Sequence, residues 1–523
     1  MRQLFLFFLL SSLFCVELGA KTFSFSQVHA MPQSVEKDYY IWRFLNQQST
    51  TASQAKAIIQ DVNNLNQKLQ ISYKKKTGSL PRVQPKPRPV LKSIAPKQQR
   101  VTTQRQREEW KIKSTKLKTI FNSSSPFTQW KSEEPFVQCF VFNKCGSKKR
   151  KELNRALTKI EYQRLTTHKS FNQSVPYIMS ENLSNLKKAL YYTPAKNNAL
   201  NAQTLSLIAM DALRKGNKKV ATTYFDYARR KGGEQSAIDQ ANFWLYQLTG
   251  DKGHLKHIIK ANDVNFYALV ARDILHQSYP NTITPKLSKR RINRFDNKNP
   301  IHWAYLKQKI YQPGANLHKL AKAFDSDETV GVYSYIKSNA TKTKNLYFPM
   351  PYRSIMSKLP KERQALIYAI AKQESRFVPA SVSRSFALGM MQFMPFLIDH
   401  VAKERGEKID YDDIFNPNTA IIYANHHLNY LIKYLYSPLF IAYAYNGGIG
   451  FTKRLIQRSD YFRQGKYEPY LSMEKMTNVE AREYGKKVLT NYVIYLNKLG
   501  ISARISPYLQ VLHKPSRTDA FRK

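Results

Sequence analysis

Apolar residues recur at spacings of three and four through much of the chain, which is the period of an α-helix. Such runs end at breaks rich in Gly, Asn and Asp, as they do after Leu205–Leu213, Ala221–Arg230 and Ile238–Leu248. No run of alternating apolar and polar residues predicts strands. The pattern predicts an all-α fold in which residues 150–347 form stacked helical hairpins, a solenoid-like superhelix without a strict repeat.

A second helical region is predicted after Pro349 and Pro351, which interrupt the pattern and place a domain boundary near Phe348. Turn-forming residues are denser in this region, and polar side chains accompany them. We expect residues 348–506 to form a separate domain, followed by a basic tail over residues 507–523.

One predicted helix of this second region places a carboxylate on its apolar face. Ile367 and Ile370 mark the buried side, and Glu374 follows them by seven and four residues. A carboxyl group in that position loses solvation, which raises its pKa toward neutrality, as a general acid requires. The alternative is an ordinary helix-end glutamate that pairs with a local cation such as Arg376.

Two further segments combine turn signals with polar side chains. Gly389 permits a tight backbone turn, Gln392 is an amide within an apolar run, and Pro395 is suited to open a helix. Later in the chain, a predicted helix ends at a glycine pair with Tyr445 and Asn446 at its mouth. These segments are candidates for a binding cleft around the glutamate.

The N-terminal residues predict export. A basic residue, the apolar run Leu4–Val16 and small residues after it are typical of a signal peptide over residues 1–20, with an uncut anchor as the alternative. No later run reaches the ~20 apolar residues of a membrane span. Two cysteines, Cys139 and Cys145, would remain after cleavage. In an exported protein they form either one short-loop disulfide or two free thiols.

The charge balance favours anionic partners. The 84 Lys and Arg residues against 36 Asp and Glu give a formal net charge of +48, a field that attracts polyanions of several kinds. Residues 21–149 are predicted to form an N-terminal helical region with a basic, Pro-rich segment over residues 74–113 that is extended or disordered. This segment is either a tether to an anionic surface or a solvated linker.

Several motifs in order resemble those of one enzyme family. They are Gln373-Glu374-Ser375, the run Gly389–Pro395, Asp413–Pro417 with the helix that follows, Ala444–Gly448, and Glu480–Tyr484. Together they resemble the family 1 lytic transglycosylases, the soluble lytic murein transglycosylases, whose SLT domain has a goose-lysozyme-like, all-helical fold. The resemblance covers about residues 349–497. A looser resemblance to the superhelical part of these enzymes includes Ala241–Trp244 and Asn265–Ala268.

The resemblance implies a role for each matching position. Glu374 would be the single catalytic acid and base, and Tyr445 would face it and stabilise the transition state. The other positions would bind or shape the glycan groove; they are Ser383, Gln392, Met394, Asn446, Glu480 and Tyr484. Phe386 stands where the family usually has Gly and is expected to alter the groove, and Gly485 stands where Val is common.

The implied reaction cleaves the β-1,4 bond between N-acetylmuramic acid and N-acetylglucosamine of peptidoglycan and leaves 1,6-anhydro ends. It needs no cofactor and no second carboxylate, and the acidic residues Asp410, Asp412 and Asp413 are expected to form a solvated turn. The adjacent His426 and His427 point about 100° apart on a helix and are not expected to bind a metal.

Three other functions remain open at this point. The nearest is a hydrolytic muramidase, which would leave reducing ends. A non-catalytic peptidoglycan-binding scaffold would use the basic superhelix alone. An exported nucleic-acid binder would rest on the net charge alone and is not expected. The expected partners are peptidoglycan glycan strands in the periplasm, with cell-wall or membrane-surface association through the basic charge.

Overall fold

The computed structural model describes residues 21–82, 115–341 and 346–522. Within these ranges the chain forms helices joined by turns, with four isolated bridges and no β-strand, which confirms the predicted all-α fold. The predicted signal peptide over residues 1–20 lies outside the described residues. Among the residues that are described, no helix combines the length and the apolar character that crossing a membrane requires.

Residues 21–82, which we call the N-terminal unit, form a small helical cluster. Its helices are Phe25–His29, Val35–Asn46, Ala52–Ile58 and Gln67–Thr77, with a 3-10 turn at Ile59–Asp61. The prediction that the basic segment is already extended or disordered at Lys74 is wrong, because Lys74, Lys75 and Lys76 form the last turn of a helix. Cations are favoured there by the carbonyl groups of the helix end. Residues 83–114, which include most of the predicted segment, lie outside the described residues.

Residues 115–341 form a long series of short helices. A helical segment spans residues 115–121, and the following helices are Pro126–Ser132, Pro135–Lys144, Ser147–Glu152, Lys159–Leu165, Phe171–Ser180, Ser184–Ala189, Ala202–Arg214, Lys218–Arg230, Gln235–Thr249, Gly253–Lys260, Phe266–Ile274, Pro300–Ile310, Leu317–Ala323 and Val330–Ala340. From residue 202 to 274 each helix packs on the next, as the predicted helical hairpins require.

The stops between these helices follow the local sequence. Helix Gln235–Thr249 ends at Gly250, whose φ of +77° is a left-handed conformation that glycine adopts without strain. Fully buried small and aromatic side chains, Ala221, Phe225 and Trp244 among them, fill the space between helices. Cys139 and Cys145 are both buried and both free, so of the two alternatives the structure has the free thiols.

The C-terminal region, residues 346–522, is also helical. Its helices are Arg353–Met356, Lys361–Glu374, Pro395–Arg405, Pro417–Ile432, Pro438–Gly447, Ile449–Ile456, Tyr470–Glu474, Val479–Lys498, Ser506–Gln510 and Pro515–Thr518, with a 3-10 helix at Tyr411–Phe415. Helix Val479–Lys498 packs along both Lys361–Glu374 and Pro438–Gly447. Three helices that are distant in sequence thereby bring their ends to one place.

The segment predicted as a basic tail is folded onto this region. The backbone N–H of Tyr436 donates to the Thr518 carbonyl (2.8 Å), and that of Ala520 donates to the Tyr434 carbonyl (2.9 Å). Arg522 is buried and bonds to the Asp519 carboxylate at 2.8 Å. The positive charge of Arg522 is therefore paired with a carboxylate inside the fold.

Candidate functional site

Glu374 is the last residue of helix Lys361–Glu374, whose preceding two turns are buried. Ile367, Ile370 and Ala371 are each at most 1% exposed, so the helix is anchored in the core up to Ala371, three residues before its end. Ser375 then donates its hydroxyl to the Met390 carbonyl at 2.8 Å. This bond ties the end of the Glu374 helix to the turn segment that follows.

Among the residues that the structure describes, a tyrosine and no cation holds the Glu374 carboxyl group. Tyr484 donates its hydroxyl to Glu374 Oε1 at 2.7 Å. Burial raises the pKa of Glu374 to about 7; the charge of Glu480 adds to this rise, and the Tyr484 hydrogen bond opposes it. Arg376 lies elsewhere, because its guanidinium bonds to the Ser338 hydroxyl at 3.1 Å. The alternative of a glutamate paired with Arg376 is therefore wrong.

Tyr445, near the end of helix Pro438–Gly447, lies close enough to the same carboxyl group to be affected by its charge. Its hydroxyl donates to the Met391 carbonyl at 3.0 Å. Its pKa is raised well above the usual value, first by burial and then by the charge of Glu374. Tyr445 is therefore neutral at physiological pH and stays a hydrogen-bond donor whatever the protonation of Glu374.

His427 packs against the ring of Tyr445. The sequence did not identify it as a functional residue. The two rings pack edge to face with centroids 5.7 Å apart. Burial lowers the pKa of His427 to about 4, so the imidazole is neutral and adds no charge beside the carboxyl group. Its neighbour His426 bonds instead to Glu404 on the surface. Within the described part of the chain, no group of three or more His, Cys, Asp and Glu side chains is arranged to hold a metal.

The segment from Ser381 to Met394 folds back on itself beside these groups. Leu388 pairs with both Val382 and Phe393 in isolated antiparallel bridges. Gly389 makes the close return possible, because its φ is +76° and a Cβ atom there would lie 2.6 Å from the Ile414 carbonyl oxygen. The predicted turn at Gly389 and the predicted helix start at Pro395 are both confirmed.

Two predicted groove residues take part in this fold. The Ser383 hydroxyl accepts the Ala387 N–H at 2.9 Å, which leaves its proton free to be donated. The Gln392 amide donates to the carbonyls of Ser381 (3.2 Å) and Gly389 (2.9 Å). Met394 caps the next helix. The substrate contacts of these residues, and of Asn446 beside Tyr445, stay predictions.

Phe386, which we expected to alter the groove, does not expose its side chain. Its side chain is fully buried and packs on rings of the N-terminal unit, with centroids 6.1 Å from Tyr39 and 5.8 Å from Trp42. Its φ is +62°, which accounts for the glycine that the resembling family has at this position. The departure at Gly485 also has a physical reason, because a Cβ atom there would lie 2.2 Å from Tyr443 Cε1.

Two buried polar clusters around the site have partners from distant parts of the chain. The expected solvated turn at Asp410 and Asp412 is wrong: both carboxylates bond to Arg43, at 2.6 Å and 3.2 Å. Lys486 bonds to Glu474 at 2.6 Å, and Tyr267 of the superhelix donates to the same carboxylate. Arg43 and Asp410 are 367 residues apart, and Tyr267 and Glu474 are 207 residues apart. Neither of these two contacts was apparent in the sequence.

Comparison with known proteins agrees with this geometry. Residues 355–467, which include Glu374, Ser383, Gln392 and Tyr445, match the family model of the Transglycosylase SLT domain. The chain carries an SLT domain. Tyr484, which contacts Glu374, lies outside the matched residues, so the complete cleft needs the helix that follows the matched part of the SLT domain.

A curated relative and several solved structures are similar over longer stretches. The chain is 24% identical over 335 residues to a soluble lytic murein transglycosylase of Salmonella typhimurium, which covers 58% of this chain and 50% of that protein. The chain thus matches about half the length of this relative. An inactive mutant of the lytic transglycosylase Slt of Pseudomonas aeruginosa has a TM-score of 0.49 at 16% identity, covering 90% of this chain and 74% of that one. The 70 kDa soluble lytic transglycosylase of Escherichia coli has a TM-score of 0.48 at 16% identity, covering 94% and 84%.

Proposed function

We propose that this protein is a lytic transglycosylase that cleaves the β-1,4 bond between N-acetylmuramic acid and N-acetylglucosamine in peptidoglycan. The observation that supports the proposal best is the environment of Glu374. The carboxyl group is partly enclosed, free of cations and hydrogen-bonded by Tyr484, and its pKa is about 7. A group with that pKa is present in both protonation states at neutral pH, so it can give a proton and later take one back.

In the proposed reaction, Glu374 first gives its proton to the glycosidic oxygen. The bond from that oxygen to C1 of muramic acid breaks, and the electron pair leaves with the oxygen. Positive charge develops at C1, where the substrate's acetamido group and Tyr445 stabilise it. The ionised Glu374 then removes the proton of the 6-hydroxyl, whose oxygen bonds to C1 within the same sugar. Water is not consumed, and attack within one sugar benefits from a high effective concentration.

Tyr484 and Glu480 adjust the proton affinity of Glu374 in opposite directions. The Tyr484 hydroxyl stabilises the ionised form, whereas the negative charge of Glu480 disfavours it. Because the reaction uses both forms of Glu374, neither influence can dominate. This balance is the role that we assign to the two residues in the cleft.

The domain division and the cellular location belong to the same proposal. Residues 150–347 would form the superhelix and residues 348–506 the catalytic domain, exported to the periplasm by the signal peptide over residues 1–20. The net charge of +48 would retain the polymer through the carboxylates of its stem peptides. N-terminal sequencing of the protein recovered from the periplasm would test the export and the cleavage position together.

Mass spectrometry of the muropeptides released from purified sacculi tests the proposed reaction. The wild-type protein should release products with 1,6-anhydromuramic ends, each lighter by one water than the hydrolytic product. Glu374→Gln should release none, whereas Glu234→Gln, the same change on an exposed carboxylate of another helical region, should match the wild type. Reducing ends would instead identify a muramidase, and binding to sacculi without cleavage would identify a scaffold.

A further inference from the structure

The N-terminal unit contacts the turn that carries Ser383. We call residues 383–387 the Ser383 turn. Its Arg384 carbonyl accepts two side-chain amides of the N-terminal unit, from Asn66 at 2.8 Å and from Asn64 at 3.2 Å. Asn66 is itself fixed, because its Oδ1 accepts the Leu69 N–H at 3.0 Å as the N-cap of helix Gln67–Thr77. The start of a helix thereby aims an amide donor at the turn.

A buried aromatic contact holds the same turn from its other end. Phe386 has a φ of +62°, a conformation that costs energy for any residue with a Cβ atom. Its ring is fully buried against Tyr39 and Trp42 of the N-terminal unit. The packing of this ring offsets the backbone cost, so the conformation of the turn depends on the presence of the N-terminal unit.

An ion-paired cluster fixes the N-terminal unit on the SLT domain. Arg43 is buried and bonds to Asp410 at 2.6 Å and to Asp412 at 3.2 Å, and Tyr39 donates to Asp412 at 2.9 Å. Trp42 stacks on Tyr411 with ring centroids 5.8 Å apart. Charged groups paired in this way, with little exposure to water, resist separation. The N-terminal unit is therefore a fixed support rather than a loose attachment.

We propose that the N-terminal unit positions the substrate-binding Ser383 turn, with Asn66 and Phe386 as positioning residues that act through it. The proposal rests on the proposed function, since Ser383 matters as a groove residue only if the cleft binds glycan. The turn closes through three bonds of its own, from Ala387 N–H to Ser383 Oγ, from Ser383 N–H to the Ala387 carbonyl, and from Phe386 N–H to the Ser383 carbonyl, each 2.9 Å. Support at Arg384 and Phe386 keeps these bonds, and hence the direction of the Ser383 hydroxyl, in place.

Asn66→Asp separates this role from the stability of the helix. Aspartate is as good an N-cap as asparagine, so helix Gln67–Thr77 keeps its cap, but the shorter of the two bonds to the Arg384 carbonyl is lost and only that from Asn64 remains. Asn217→Asp is the matched control, because Asn217 caps helix Lys218–Arg230 in the same way and lies outside the residues 355–467 that match the SLT domain. Phe386→Gly is a second variant, since glycine adopts the φ of this position freely and removes only the ring.

The full-length variants are compared by amide hydrogen exchange of peptides covering residues 383–389 and by the kinetics of glycan cleavage. Asn66→Asp and Phe386→Gly should exchange faster in these peptides and should raise KM for glycan strands about three- to tenfold, with kcat and the pH profile little changed. Asn217→Asp should match the wild type in both measurements.

Unchanged exchange and unchanged KM in both variants would overturn the positioning role. A change in kcat or in the pH profile without faster exchange would also overturn it, because the substitution would then act on the reaction by a route other than the Ser383 turn. If the wild type cleaves no glycan, the proposed function fails. The exchange comparison still reports separately whether the N-terminal unit holds the turn.

Discussion

Glu374→Gln should make the protein more stable than the wild type at pH 8 and nearly equal to it at pH 4.5. The pKa of Glu374 is raised from 4.5 to about 7, chiefly by burial, so the folded protein holds this proton more tightly than the unfolded chain does. The stability that the protonated group supplies is complete below pH ~4.5 and is lost as the pH rises through about 7. Glutamine keeps the acceptor for Tyr484 and carries no charge at any pH.

The size of the effect follows from the same shift. A difference of about 2.5 pH units at 1.36 kcal/mol per unit gives a ceiling of ~3.4 kcal/mol. Glu374 is partly exposed at the cleft, and solvent screening there reduces the penalty. We therefore expect the variant to gain about 1–3 kcal/mol over the wild type between pH 4.5 and pH 8.

Thermal unfolding of both proteins across this pH range measures the difference. The melting temperature of Glu374→Gln relative to the wild type should rise by a few degrees from pH 4.5 to pH 8. Glu234→Gln, on an exposed carboxylate, controls for the loss of one negative charge. Parallel curves for wild type and Glu374→Gln would refute the reasoning, because they would mean that Glu374 ionises as readily in the fold as in the unfolded chain.

Three further outcomes are expected. Tyr484→Phe should move the high-pH decline of the glycan-cleavage rate to higher pH, because it removes the hydrogen bond that lowers the pKa of the cleft glutamate; an unmoved or lowered midpoint would contradict this. Lys486→Met should destabilise the protein by about 3–5 kcal/mol in thermal unfolding, because it leaves the buried Glu474 carboxylate without its ion-pair partner. Adding Glu474→Leu should restore most of the lost stability. Gly485→Ala should cost about 1–3 kcal/mol through its clash with Tyr443, and Tyr443→Leu should relieve it.

The parts of the site that depend on local sequence were predictable. The apolar spacing before Glu374 fixes the face of the helix on which its carboxyl group lies, and the turn at Gly389 follows from the freedom of glycine. The raised pKa of Glu374 was expected from that position and is present. Tyr445 and Tyr484 were expected near Glu374 only through the resemblance to a family, because they follow it by 71 and 110 residues.

The error at Asp410 and Asp412 has one cause, which is a partner far away in the chain. We predicted a solvated turn at Asp410 and Asp412 because no pattern of basic residues near them in sequence indicates an ion pair. Their partner Arg43 precedes Asp410 by 367 residues. Phe386 was expected to alter the groove because a side chain replaces a glycine there, and that effect stays a prediction. Its ring packs on the N-terminal unit, whose packing no local pattern indicates.

The absence of a cation beside Glu374 depends on the backbone that follows it. Arg376 is the nearest arginine in sequence, and a salt bridge from it would lower the pKa of Glu374 below the range that proton donation needs. Arg376 and Phe377 have φ values of +55° and +65°, an unfavourable pair that ends the helix abruptly and directs the guanidinium to the Ser338 hydroxyl. Gly331 allows the close approach, because a Cβ atom there would lie 2.0 Å from the Phe377 carbonyl oxygen. Backbone strain held by a neighbouring helix thus keeps Arg376 away from Glu374, and burial raises the pKa of Glu374 to about 7.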